Sequence, residues 1–76
     1  MSLRYADRQD VLEKIAQYPD GITAPDLTSV MWPDRKGYDY TASKDWVKKQ
    51  IQVLRRRGLV ESVDMDGMCY LWRIKA

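Results

Sequence analysis

Seventy-six residues have room for one hydrophobic core and no second, and a hydrophobic content of 45% with three tryptophans and five tyrosines excludes a wholly disordered chain. The formal net charge of +2 commits the chain to no partner. With no histidine and a single cysteine, Cys69, the Ser-His-Asp and Cys-His arrangements, a histidine-ligated or structural zinc site and an internal disulfide are all excluded.

Tyr5 to Tyr18 reads as a first helix. Val11, Leu12, Ile15 and Ala16 form its apolar stripe, while Asp7, Arg8, Asp10, Glu13 and Lys14 point mostly outward. Asp10 and Lys14 are an acid–base pair four apart, worth a few tenths of a kcal/mol. Pro19-Asp20-Gly21 ends this helix, because proline cannot continue the hydrogen-bond ladder and Asp-Gly favours a turn. Ile22 follows as a short extended segment. Thr23 then supplies a capping hydroxyl, Pro25 a first-turn proline and Asp26 an acid at the positive end of a second helix. That helix is expected from about Ala24 to Met31 or Trp32, with Leu27, Val30 and Met31 inward and Pro33 as its stop. Asp34 to Thr41, polar, aromatic and glycine-containing, reads as a loop within one domain.

The third helix, from Ser43 to Arg57, is the organising stretch. Val47, Ile51 and Leu54 recur at steps of four and three, the spacing of one helix stripe. Ser43 is the expected N-cap and Gly58 the expected stop. Opposite the apolar stripe lie Asp45, Lys49, Gln52 and Arg56, bordered by Lys48 and Arg55. From Arg35 to Arg57 there are eight basic and two acidic side chains, a sum of +6; the other 53 residues carry five and nine, a sum of −4. Such one-sided basicity is the footprint of a polyanion binder, and also of a solvated helix face. Arg55 to Arg57 have a local role besides, as cations at a helix C-terminus. Trp46 and Val53 lie on a flank and are expected to pack under the preceding loop.

Leu59 to Asp64 and Cys69 to Ile74 are β-prone runs bracketing Asp66-Gly67, the short-range signature of a two-residue hairpin. With that tip Val63 faces Tyr70 and Glu61 faces Trp72, and Tyr70, Trp72 and Ile74 share the covered face. Cys69 reads as a small strand residue.

Helix, turn, extended residue, helix, loop, helix, hairpin: this order resembles the winged-helix form of the helix-turn-helix domain. The residues that carry the likeness are Gly21-Ile22-Thr23-Ala24-Pro25-Asp26-Leu27, Val47, Ile51 and Leu54, and Gly58-Leu59-Val60 leading into the hairpin. The likeness implies an α+β fold, a three-helix bundle with a C-terminal β-hairpin wing, spanning residues 1–76 as one domain. It further implies that the third helix enters the major groove of double-stranded DNA. Lys44, Asp45, Lys48, Lys49 and Gln52 are then candidates for base contact, Arg55 and Arg56 for phosphates, and Arg35 and Lys36 for the same backbone. The expected function is a small sequence-specific DNA-binding protein, a transcriptional or phage- or plasmid-type regulator.

Two features depart from the pattern. The Trp32 to Ala42 connection is longer than the compact turn of about three or four residues, and the end of the wing, Asp64 to Met68, is acidic and apolar. They motivate the alternative of a protein-interaction winged helix in a larger complex, contacting its partner through Trp32, Tyr38, Tyr40, Met65 and Met68; a homodimer would use the first helix, the aromatic loop or the Trp46–Val53 flank. RNA or single-strand binding is a weaker third reading, since no recognised RNA motif is present. No phosphate-cradling GxxxxGKS/T or GxGxxG element occurs, so neither enzymatic activity nor a cofactor is expected. No run approaches the roughly 20 apolar residues of a membrane span, and no signal-peptide stretch is evident. A cytoplasmic location is expected, where a lone thiol stays reduced.

Overall fold

A computed structural model describes residues 7–66 and 69–75. The order is α1 (Arg8–Ala16), α2 (Ala24–Met31), α3 (Gly37–Arg56), β1 (Val60–Asp66) and β2 (Cys69–Ile74), three helices followed by an antiparallel hairpin. The α+β class follows from that order.

Asp7 is not helical but the N-cap of α1. Its carboxylate accepts from the Asp10 N–H at 2.9 Å, and the Asp10 carboxylate accepts from the Asp7 N–H at 2.9 Å. This reciprocal box satisfies two backbone donors and sets the helix start at Arg8 rather than Tyr5. Tyr5 itself lies outside the described residues. Val11 and Ile15 are fully buried, whereas Ala16, expected on the apolar stripe, is exposed. The helix ends at Ala16, not Tyr18, because the Gln17 and Tyr18 N–H groups bond only three residues back, to Lys14 and Ile15.

Gly21 closes the turn that follows. Its N–H bonds the Tyr18 carbonyl at 2.9 Å, and its φ of +108° is a conformation that side chains disfavour. A Cβ added there would stand 3.0 Å from the Leu71 Cβ of β2. Gly21→Ala is therefore expected to cost about 1–3 kcal/mol in a urea unfolding titration, strain and contact acting together.

The bounds of α2 match the expectation. The Thr23 hydroxyl accepts from the Asp26 N–H at 3.2 Å, and Trp32 is the C-cap. Inside the helix the expectation fails at Val30, which is 38% exposed. Ala24, Leu27, Thr28 and Met31 define the buried side, and Val30 sits roughly 110° away from its centre at 100° per residue. Thr28 takes a core position because its hydroxyl donates to the Ala24 carbonyl at 2.8 Å, so no polar group is orphaned.

α3 begins six residues before Ser43, and the segment expected as a loop from Asp34 to Thr41 is mostly its first turn. Ser43 is no N-cap. It is buried, its hydroxyl donating to the Asp39 carbonyl at 2.8 Å and accepting from the Arg35 guanidinium. Gly37, at φ +60°, turns the chain into the helix after an extended Lys36. Tyr40 then ties the first turns to α2 by donating to the Pro25 carbonyl at 3.3 Å. The helices are thus joined by residues 32–36, and the long connection is replaced by a short turn. Val47, Ile51 and Leu54 are buried as expected, and Leu59 N–H bonds back to the Leu54 carbonyl at 3.0 Å beyond the helix end.

The hairpin forms, but in another register. Met65 pairs with Tyr70, Ser62 with Trp72 and Glu61 with Arg73, and Asp66 is still paired, with Cys69; Gly67 of the expected Asp66-Gly67 tip lies outside the described residues. Between Ser62 and Asp64 the ladder shifts by one, leaving Val63 as a bulge. Glu61 and Arg73 form a cross-strand ion pair at 3.0 Å. Trp72 alone of the expected face is buried; Tyr70 is 53% and Ile74 37% exposed. The reason is a third segment. Ile22 and Trp72 exchange both backbone hydrogen bonds at 2.9 Å, which clamps the sheet to the helices at that point and lets Tyr70 run past the body. The core gathers Val11, Ile15, Ile22, Leu27, Val47, Ile51, Leu54, Val60 and Trp72 from every element. Among the described residues no helix is long and apolar enough to cross a membrane.

Candidate nucleic-acid interface

α3 presents one sealed edge and one open edge. Lys48, Lys49, Gln52, Arg55 and Arg56 are exposed together, with Asp45 a turn earlier. From Asp45 to Arg56 the open edge runs roughly 16 Å at 1.5 Å per residue, long enough to lie against several base pairs. The Gln52 Oε1 accepts from the Arg55 guanidinium at 3.3 Å, which links a candidate base reader to a candidate phosphate contact.

Other expected residues stand apart. Lys44 is half-buried, its ammonium 5.7 Å from the Tyr40 ring centroid. The Arg35 guanidinium lies 4.6 Å from the Trp32 ring centroid and also donates to Ser43, so it fastens the α2–α3 turn. Lys36 is exposed at the N-cap of α3. Arg35→Ala is expected to lower stability by about 1 kcal/mol by removing that stack and hydrogen bond, read as a shifted urea midpoint.

Of the aromatics proposed for a protein contact, Trp32 is half-buried edge-on to Trp46, with centroids 6.1 Å apart. Trp46 thus packs beneath the α2–α3 connection, as expected. Tyr40 is half-buried and only Tyr38 stands clear, 85% exposed. Met68 lies outside the described residues, as does the side chain of Met65.

An open cleft of about 200 Å³ separates α3 from the hairpin. Pro25 of α2, Lys48, Ile51 and Gln52 of α3, and Cys69 and Tyr70 of β2 line it. Pro25 and Tyr70 were not among the sequence candidates. The alternation of β2 suggests a covered Tyr70, and no local signal corrects it, because the bridge that covers Trp72 comes from Ile22, far away in the chain. Among the described residues no group of three or more carboxylate or thiol side chains stands where it could hold a metal.

Comparison with known proteins finds no matching family model, no matching curated protein and no matching solved structure.

Proposed function

We propose that this chain is a winged-helix protein that binds double-stranded DNA sequence-specifically, with α3 entering the major groove, and that it acts as a small regulator in the reducing cytosol by binding alone, without catalysis or a cofactor. One observation carries the proposal: the open edge of α3 displays Lys48, Lys49, Gln52, Arg55 and Arg56 side by side, while its other edge is locked into the core by Val47, Ile51 and Leu54. The major groove is about 12 Å wide and admits a helix docked in this way. Gln52 has the chemistry to read adenine and the lysines to read guanine, while Arg55 and Arg56 suit phosphates. The Ile22 bridge and the short α2–α3 turn also support a winged-helix layout, since both bring the elements closer to that arrangement than the sequence suggested.

Selection from random duplexes at two salt concentrations and several protein concentrations tests the proposal. Enrichment of one motif, with affinity falling steeply as salt rises, is the expected result. Salt-insensitive indifference to every duplex would overturn it. The exposed Tyr38, with Val30 at 38% exposure nearby in sequence, favours a second reading as a protein-interaction module. A stoichiometric protein partner in that same experiment's control purification would support it.

A further inference from the structure

The cleft between α3 and the hairpin has a chemistry that the duplex role does not use up. Its depth is apolar and aromatic: Ile51 and Trp72 are buried beneath it, and the Tyr70 ring meets the Trp72 ring edge-to-face, with centroids 5.9 Å apart and an angle of 61°. Its polar rim offers donors. Lys48 carries an ammonium with three N–H bonds and no acceptor. Gln52 has its Oε1 engaged by Arg55, which leaves its amide N–H groups as the donors that it can offer a ligand. Among the described residues no carboxylate lines the space. The volume, about 200 Å³, falls below the range of roughly 300–1,000 Å³ typical of drug-sized ligands, so it suits one or two fused rings.

We propose that this cleft binds a small planar aromatic carboxylate. The ring lies against Tyr70 and Trp72, and the carboxylate accepts charge-assisted hydrogen bonds from Lys48 and an amide hydrogen bond from Gln52. Because these two residues also belong to the candidate DNA face, occupancy competes with the duplex. That regulatory consequence rests on the duplex-binding role, but the ligand site itself does not.

The test uses 2-naphthoate, with uncharged 2-naphthalenemethanol as its control, added to the folded chain and followed by amide and indole N–H chemical shifts. Expected are saturable shifts at Lys48, Gln52, Tyr70 and Trp72 with millimolar or tighter affinity. Weakening of about tenfold is expected for the alcohol and for Lys48→Gln. Lys48 is exposed, so that variant keeps the fold. Tyr70→Ala, at a half-exposed position, should weaken the carboxylate and the alcohol alike. Absence of shifts at these residues, or equal binding of alcohol and carboxylate, would overturn the site. Naphthoate binding in a protein that ignores every duplex would support the site and remove the duplex role. A duplex complex undisturbed by saturating naphthoate would overturn the competition.

Discussion

Replacing Lys48, Lys49 and Gln52 together by alanine should abolish specific duplex binding while leaving the fold intact. All three side chains are exposed, and none belongs to the core cluster, so the melting temperature should move little. The two lost lysines remove contacts to guanine edges, about 1–3 kcal/mol of discrimination for a good one, while the slope of log affinity against log salt, carried by the phosphate contacts of Arg55 and Arg56, should change little. A lost bidentate base contact removes a further ~1–3 kcal/mol of discrimination. Together these predict a loss of about 100-fold or more on the selected duplex, measured by fluorescence anisotropy across a salt series. Unchanged affinity on that duplex would sink the assignment of α3. Arg35→Ala offers the contrast: its guanidinium is spent on Trp32 and Ser43, so its effect should fall on stability and not on duplex affinity.

Ile51→Ala should show the largest stability loss of the single substitutions considered. Ile51 is 1% exposed at the middle of the buried edge of α3, between Val47 and Leu54. Removing its branched side chain forfeits transfer free energy and leaves a cavity that the short helices around it fill only in part, about 2–5 kcal/mol. A 76-residue domain has roughly 4–11 kcal/mol in total. A drop in melting temperature of about 8–40 °C is therefore expected by circular dichroism. A loss under about 1 kcal/mol would mean that the packing of α3 on the core is wrong. Stability and duplex binding lie on opposite edges of one helix, so the two experiments separate them.

The hairpin makes a different contribution from the one its composition suggests. Its acidic end would be repelled by phosphate, with Asp64 exposed beside it. On the other strand of that same end, Tyr70 and Cys69, paired with Met65 and Asp66, stand beside Lys48 and Gln52 across the cleft.

What the sequence determined by itself was whatever depends on neighbours within a turn or a strand. Thr23, Pro25 and Pro33 bound α2 correctly, because a capping hydroxyl, a first-turn proline and a breaker act on the backbone beside them. The Val47–Ile51–Leu54 stripe and the two strands were legible for the same reason. Only the tertiary structure decided the start of α3. The Ser43 hydroxyl serves as well for bonding back to Asp39 as for capping, and the Arg35 guanidinium and the Tyr40–Pro25 bond tip that choice toward the longer helix. It also decided the strand register, since a bulge at Val63 changes nothing in the local pattern yet shifts the pairing and helps set which of Tyr70 and Trp72 is covered. The cleft belongs to the same class. Pro25, Lys48 and Tyr70 come from three separate elements, and their meeting is set by how the core closes, a consequence of burial that no local propensity encodes.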